Sequence, residues 1–204
     1  SEAFKADSNP DKINLSVGVY QNDEGKSPVL RAVKEAEKRL IESEASKSYL
    51  GIGGSAEFAS GVQELVFGQD HSAILEGRIS SFQTPGGTGG LRVAADFIRQ
   101  QLGQRTIWIS NPSWPNHKGI FSSAGLEVKT YRYFNAAENR IDWDGFREDL
   151  QAIHPGDVIV LHGGCHNPTG ADLVPDQWMA IAAECASCGV LPIVDFAYQG
   201  FAQG

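Results

Sequence analysis

Several features that would mark a secreted or membrane protein are scarce in this sequence. Only three of its 204 residues are cysteines, Cys165, Cys185 and Cys188, and they are too few and too unevenly placed for a disulfide framework. No stretch approaches the roughly 20 consecutive apolar residues of a membrane-spanning helix, and the first residues contain no apolar core of signal-peptide length. These absences favour a cytoplasmic protein without a membrane partner.

Positive charge is also in short supply. The sequence has 17 Lys and Arg residues against 25 Asp and Glu residues, a formal net charge of −8 that argues against a nucleic-acid partner held by bulk attraction. Two nucleotide-binding motifs are missing as well. Counted from Gly87, the third glycine of a dinucleotide fingerprint falls on Arg92, and no Gly-x-x-x-x-Gly-Lys P-loop occurs. A nucleotide-dependent oxidoreductase is therefore a weak hypothesis.

From about residue 79 onward, strand candidates alternate with segments of helical periodicity. The predicted strands are 79–83, 106–110, 127–133, 157–162 and 190–195, and the predicted helices are 89–102, 117–124, 142–152 and 175–187. This alternation predicts an α/β fold: a mainly parallel sheet with helices on both faces.

The region before residue 79 has a different pattern. Residues 13–20 alternate apolar and polar side chains, typical of a short strand or an extended segment. Val29, Val33, Ala36 and Leu40 then predict an amphipathic helix after Pro28, and a second helix follows from Phe58 to Gly68. We predict that residues 1–30 pack elsewhere, as part of a smaller domain, and that residues 31–204 form the sheet domain.

Four loops follow predicted strands and carry polar or glycine residues. They are residues 84–90, 111–117, 162–170 and 195–198. Because parallel strands joined by right-handed crossovers all end at the same edge of the sheet, these loops are expected to converge on one crevice.

Each loop allows a functional and a structural interpretation. The glycine-rich loop 84–90 opens a helix and suits an anion such as phosphate, or it is a flexible turn that caps the helix. Trp114, between two prolines, could stack on a heteroaromatic ring or simply hold its loop in place. Asp195 ends an apolar run, so its carboxylate requires a cationic or hydrogen-bonding partner unless it caps a following helix.

A metal site is a weaker alternative. His162 and His166 are spaced as His-x-x-x-His, and Cys185 and Cys188 as Cys-x-x-Cys, with Cys165 between the two histidines. The two later cysteines fall near the end of a predicted helix instead of in a tight turn, which favours packing over metal binding or redox chemistry.

Two motifs resemble a known family. The sequence His166-Asn167-Pro168-Thr169-Gly170 and the later run from Asp195 to Phe201 are similar to those of class I pyridoxal-phosphate (PLP) aminotransferases of fold type I. The resemblance is greatest to the aspartate and aromatic amino-acid aminotransferases and extends over nearly the whole chain. It implies a PLP cofactor and a homodimer with shared active sites. The implied substrates are an amino acid, aspartate first and an aromatic one second, and a 2-oxo acid such as 2-oxoglutarate.

The resemblance also implies roles for individual residues. Gly87 and Thr88 would hold the cofactor phosphate. Trp114 would stack on the cofactor ring and contact substrate, and Asp195 would hold the ring nitrogen. Asn167 and Tyr198 would both bond the ring hydroxyl, Asn167 near the substrate carboxylate. Tyr49 would reach the phosphate in the neighbouring subunit, and Gly18 would contact substrate. His117 and His162 would lie behind Asp195 and orient it. The asparagine-proline bonds 111–112 and 167–168 are often cis in such enzymes.

One feature of the family is missing. Its Schiff-base lysine comes from a later strand, and no lysine follows Lys129 in this sequence. The resemblance therefore covers the N-terminal half of such an enzyme, an incomplete large domain, and the 204-residue chain alone is expected not to transaminate. The alternative is a non-catalytic fragment or binding module that retains part of the cofactor site.

Overall fold

The computed structural model describes residues 2–14 and 18–202, and the chain divides into two compact units at the bond between Leu50 and Gly51. The first unit contains helices α1 (Glu2–Ala6) and α2 (Arg31–Ser43). Within the predicted extended segment 13–20, residues 13, 14 and 18–20 form no regular element, and residues 15–17 lie outside the described residues. The domain boundary predicted at residue 30 differs from this division and stays a prediction.

The second unit begins with three helices, α3 (Ala56–Phe67), α4 (Ser72–Leu75) and α5 (Gly86–Phe97), and a π-helical turn, Ile98–Leu102, extends α5. The Ser55 side chain caps α3 by accepting a hydrogen bond from the Phe58 backbone N–H at 3.2 Å. The helices predicted around Val33 and Phe58 are thus present as α2 and α3.

A four-stranded parallel sheet forms the centre of the second unit. Its strands are β1 (Thr106–Asn111), β2 (Glu127–Arg132), β5 (Val158–His162) and β6 (Leu191–Asp195), in the order β2-β1-β5-β6. The connecting helices are α6 (Pro115–Ser123), α7 (Trp143–Ala152) and α8 (Pro175–Cys188). A two-stranded antiparallel hairpin, β3 (Phe134–Asn135) and β4 (Arg140–Ile141), precedes α7.

The two faces of the sheet carry separate hydrophobic clusters. Ile107, Val158 and Val160 pack on one face with buried residues of α5 and α6. Ile159 and Leu161 point to the other face, where they pack with buried residues of α7 and α8. Since successive side chains of a strand point to opposite faces, the continuous run Val158–Leu161 is buried on both sides. The predicted parallel sheet with helices on both faces is confirmed.

The prediction of a strand over residues 79–83 is wrong. In the structure these residues belong to no strand, and the Phe82 side chain is largely exposed. A strand requires a neighbour along its whole length, and the described residues provide only a single backbone bond, from the Gln83 N–H to the Gly53 carbonyl. The local sequence does not show whether a pairing strand is available, and the described residues contain none for this segment.

The other predicted elements are present with small shifts at their ends. The helix predicted over 89–102 begins three residues earlier, at Gly86, and its last turn is π-helical. Asp142, predicted as the first residue of its helix, is instead the N-cap of α7 and accepts a hydrogen bond from the Gly145 N–H at 3.1 Å. Among the described residues, no helix has the length and apolar character needed to cross a membrane.

Candidate functional site

Asp195 lies at the carboxyl end of β6 and is bonded to a buried histidine. The His117 Nε2 atom, on α6, is 2.8 Å from the Asp195 Oδ2 atom, and the His117 side chain is fully buried. About a fifth of the Asp195 side chain remains exposed. The hydrogen bond from His117 lowers the pKa of Asp195, so the carboxylate stays ionised at neutral pH. No helix starts after β6 in the described part of the chain, which removes the helix-capping interpretation.

A chain of hydrogen bonds leads from this carboxylate to the loop after β5. The Ser113 hydroxyl is 2.9 Å from His117 Nδ1 and 3.3 Å from His162 Nε2. His162 Nδ1 in turn accepts the backbone N–H of Asn167 at 3.3 Å. The chain therefore connects Asn167, His162, Ser113, His117 and Asp195 across three loops.

These contacts assign the protons of both rings. Because His162 Nδ1 accepts a hydrogen bond from Asn167, the proton of the neutral His162 ring is on Nε2 and is donated to Ser113. The hydroxyl of Ser113 has a single hydrogen, which it donates to His117 Nδ1. The His117 proton is then on Nε2 and is donated to Asp195, which is the tautomer that supports an ionised carboxylate.

Burial keeps the histidines of the loop after β5 uncharged. The pKa of His162 is lowered to about 4, mainly by burial and next by the neighbouring His117. The pKa of His166 is lowered to about 3, mainly by burial and next by the neighbouring His162. The centroids of the His162 and His166 rings are 4.1 Å apart, so two positive charges there would repel each other strongly. The neutral His162 ring of the hydrogen-bond chain is therefore the form expected at neutral pH.

Replacement of Ser113 by alanine is expected to lower the free energy of unfolding by about 1 to 3 kcal/mol, because it leaves His117 Nδ1 and His162 Nε2 without their shared partner in a largely buried site. Ser113→Thr retains the hydroxyl and is expected to lose less. Urea unfolding at neutral pH measures both. Ser122→Ala, at an exposed position of α6, is the matched control. Equal stabilities for Ser113→Ala and the control would contradict the hydrogen-bond chain.

The glycine-rich loop forms the N-terminus of α5. Pro85 occupies the N-cap position and no side chain caps the helix, while Gly87 and Thr88 in the first turn are exposed. The first N–H groups of a helix have no partner within the helix and carry partial positive charge. This helix end can therefore accept an anion.

Trp114 and Tyr198 occupy the loops after β1 and β6. Trp114 is partly buried, packs against the α5 and α6 side of the core, and forms a T-shaped contact with the His117 ring at a centroid distance of 5.3 Å. Tyr198 is partly buried in the turn that follows Asp195. The loops after β5 and β6 approach closely, since a Cβ atom at Gly163 would lie 2.6 Å from the Phe196 ring.

Two predicted site residues lie in the first compact unit, whereas Asp195 and its partners lie in the second. Gly18 is exposed, and Tyr49 is fully exposed. Their roles in binding substrate and cofactor phosphate therefore stay predictions.

Two residues of the site were not predicted. His166 is buried between the Ser110 hydroxyl, at 3.0 Å from Nε2, and the Thr169 hydroxyl, at 2.8 Å from Nδ1. Its ring also stacks on that of Tyr133 at a centroid distance of 4.0 Å. Asp172 accepts two backbone N–H groups of the same loop. His166 begins the motif His-Asn-Pro-Thr-Gly, whereas nothing in the sequence pattern marks Asp172.

The residues considered for a metal site lie on two different elements, the loop after β5 and helix α8. Cys185 is buried in α8 and Cys188 ends the same helix, while Cys165 lies in the loop after β5. Within residues 2–14 and 18–202, no group of three or more His, Cys, Asp or Glu side chains is arranged to hold a metal ion.

Comparison with known proteins identifies the family. The model of the family "Aminotransferase class I and II" matches residues 10–204. The chain belongs to this family. It is 50% identical over 204 residues to the aspartate aminotransferase of Escherichia coli (strain K12), covering the whole chain and 52% of that protein. It is 47% identical over 203 residues to the aromatic-amino-acid aminotransferase of Pseudomonas aeruginosa, covering the whole chain and 51% of that protein.

Solved structures of this family have the same fold. One is the crystal structure of the aromatic-amino-acid aminotransferase of Burkholderia pseudomallei covalently bound to pyridoxal phosphate. It matches with a TM-score of 0.91 and 44% identity, over 98% of this chain and 50% of that one. The chain thus spans about half the length of the relatives it matches, as its resemblance to an N-terminal half predicted. The bonds 111–112 and 167–168 are both cis, as expected for an aminotransferase of this kind.

Proposed function

We propose that this chain is the cofactor-binding part of a longer PLP-dependent aminotransferase. The observation that carries the proposal is the ionised carboxylate of Asp195, which lies at the mouth of an apolar strand and accepts a hydrogen bond from the buried His117. A carboxylate held in this way is suited to pair with a protonated ring nitrogen. When bound, PLP supplies an electron sink for the electron pair released as an amino acid loses its α-proton.

The phosphate of the cofactor would bind at the start of α5. Support comes from the uncapped helix end, where the exposed N–H groups of Gly87 and Thr88 can donate to phosphate oxygens. A positively charged side chain from elsewhere in a longer chain would strengthen this contact.

The ring of the cofactor would be held by side chains of three loops. We assign Trp114 to stack on the ring, Asn167 and Tyr198 to bond its hydroxyl oxygen, and Asp195 to accept the hydrogen of its nitrogen. His117 and His162 position this aspartate through the hydrogen-bond chain that includes Ser113. Because the chain fixes the His117 tautomer, His117 donates a hydrogen to the carboxylate, which also accepts the Ala197 backbone N–H; the partly exposed carboxylate keeps further lone pairs that could accept the ring hydrogen.

The complete reaction requires residues outside this chain. We propose that the lysine which bonds the cofactor and moves the substrate proton follows residue 204, and that the 204-residue chain alone is inactive. Aspartate is the first choice of amino acid, on the strength of the similarity to the E. coli aspartate aminotransferase, and aromatic amino acids are second; 2-oxoglutarate is the proposed acceptor. The active form would be a cytoplasmic homodimer, in which Tyr49 reaches the phosphate of the neighbouring subunit and Gly18 contacts substrate.

The intact mass of the protein isolated from its natural source, measured after borohydride reduction, tests this proposal. We expect a mass well above that of the 204-residue chain, with an increment for one reduced pyridoxyl phosphate. A mass equal to that of the chain, without the increment, would contradict the enzyme and favour a non-catalytic binding module.

A further inference from the structure

The loop that carries Asn167 is held at several points of its backbone. It runs from His162, at the end of β5, to Asp172, before α8. The Gly163 N–H donates to the Asp195 carbonyl at 2.8 Å, and the Gly170 N–H donates to the His166 carbonyl at 2.7 Å. These bonds fix the two ends of the loop, but neither uses the N–H groups of the two residues immediately before Asn167.

Asp172 supplies the missing restraint. Its Oδ2 atom accepts the Cys165 N–H and its Oδ1 atom accepts the His166 N–H, both at 2.8 Å. Hydrogen bonds from N–H groups to a carboxylate are stronger than those to a neutral acceptor. Both oxygens of the carboxylate are thus used on two successive residues, a pattern that an amide side chain cannot reproduce because it has only one acceptor atom.

The backbone at this point needs such a restraint. Cys165 has a φ of 49°, in the left-handed region that residues other than glycine seldom adopt. This conformation is unfavourable for a residue with a side chain, because its Cβ atom lies too close to the following carbonyl oxygen. The bond from Cys165 to Asp172 offsets the cost and directs the chain so that the next N–H, of His166, reaches the same carboxylate.

Asn167 follows directly after this pair. Its own N–H donates to His162 Nδ1, and the His166 ring is fixed between Ser110 and Thr169. Asp172 therefore restrains the backbone before Asn167, while His162 restrains Asn167 itself.

We propose that Asp172 is a positioning residue that holds the Asn167 side chain in place for the cofactor ring. The inference rests on the proposed function in one respect, the assignment of Asn167 to the ring hydroxyl. Asp172 is itself exposed, so its substitution removes the restraint on the loop without opening a cavity in the core.

The first test needs no cofactor. Amide hydrogen exchange of the 204-residue chain, followed by NMR, reports directly on Cys165, His166 and Asn167. In Asp172→Asn, exchange of the Cys165 and His166 amides is expected to become about tenfold faster, because one acceptor is lost and the other loses its charge. The Asn167 amide, which donates to His162, is expected to exchange faster as well because the backbone before it is no longer restrained. Asp176→Asn, at an exposed position in the first turn of α8, is the matched control and is expected to exchange as the wild type.

The second test measures binding of pyridoxine 5′-phosphate and of its analogue without the ring hydroxyl. The wild type is expected to bind the analogue more weakly, whereas Asp172→Asn is expected to bind pyridoxine 5′-phosphate about tenfold more weakly and to discriminate little between the two. A merely structural role would reduce stability and leave this ratio unchanged. Asp172→Glu retains two carboxylate oxygens and is expected to restore part of the discrimination.

The outcomes separate this inference from the proposed function. Unchanged exchange of Asn167 in Asp172→Asn, or an unchanged ratio for the two probes, would overturn the positioning role. Faster exchange combined with no binding of either probe by the wild type would support the restraint on Asn167 and contradict the proposed function. If Asp172→Asn no longer unfolds cooperatively, both measurements are made on Asp172→Glu instead. Its exchange rates and probe discrimination are then expected to lie between those of the wild type and a chain without the restraint, and wild-type values would count against the inference.

Discussion

Substitution of Asp195 by asparagine is expected to weaken binding of pyridoxine 5′-phosphate to the chain about a hundredfold, because it removes the charged partner of the ring nitrogen from a partly buried site. The asparagine side-chain oxygen can still accept the His117 hydrogen, so the fold is expected to be kept. The probe has an alcohol in place of the aldehyde of PLP, and it therefore does not react with surface lysines. Isothermal titration calorimetry of the two chains measures the difference.

Asp176→Asn serves as the control for the change of charge. It removes one carboxylate from an exposed position of α8, and its affinity for the probe is expected to match that of the wild type. Thermal unfolding of each variant shows whether the fold is retained. An Asp195→Asn chain that is folded and binds the probe within about threefold of the wild type would show that Asp195 does not meet the ring nitrogen.

Acidification is expected to lower the free energy of unfolding by roughly 3 to 6 kcal/mol between about pH 7 and about pH 4. The pKa of His162 is about 4 and that of His166 about 3 in the folded chain, against an ordinary value of 6.5. Between these values the unfolded chain binds protons that the folded chain does not. The stabilisation is therefore complete above the ordinary histidine pKa and is lost as the pH falls toward the folded values.

Protonation of His162 would also disrupt the hydrogen-bond chain near Asn167. A proton added to His162 Nδ1 would turn the acceptor of the Asn167 N–H into a donor, and it would place a positive charge 4.1 Å from the centre of the His166 ring. The lowered pKa of Asp195 keeps its carboxylate ionised, and its negative charge raises the pKa of His162; burial and the neighbouring His117 lower that pKa by more, so Asp195 opposes the effect only in part. Loss of affinity for pyridoxine 5′-phosphate is expected in the same pH window.

Urea unfolding at several pH values checks this prediction. His162→Asn removes the titrating ring and retains a side-chain oxygen that can accept the Asn167 N–H, so its stability is expected to depend less on pH than that of the wild type. His154→Asn, at an exposed position, is expected to leave the pH dependence unchanged. Equal pH dependence in the wild type and His162→Asn would refute the assignment of the neutral ring.

The sheet and its helices could be predicted because their signals are local. A run such as Val158–Leu161 is apolar on both faces of the strand, and the structure buries all four side chains. Residues 79–83, Ile-Ser-Ser-Phe-Gln, have only two apolar side chains and lack a neighbouring strand in the described chain. Pairing depends on distant residues, so local sequence predicted a strand that the structure does not contain.

The loops of the candidate site were predicted to converge, and the structure joins three of them by hydrogen bonds between side chains and backbone. The individual bonds depend on pairs that are far apart in sequence. Ser113 and His162 are separated by 49 positions, and no local pattern indicates that a serine hydroxyl would join two histidine rings. The two bonds to Asp172 likewise require the left-handed turn at Cys165, which is not expected for a residue with a side chain.

The protonation state of the ring nitrogen in bound pyridoxine 5′-phosphate tests the central claim most directly. Nitrogen NMR of the labelled probe can follow its titration free in water and in complex with the 204-residue chain. If Asp195 accepts the ring hydrogen, the nitrogen stays protonated to a pH about one to two units higher in the complex than in water. An unchanged or lower pKa of the ring nitrogen in the complex would contradict the proposed cofactor site.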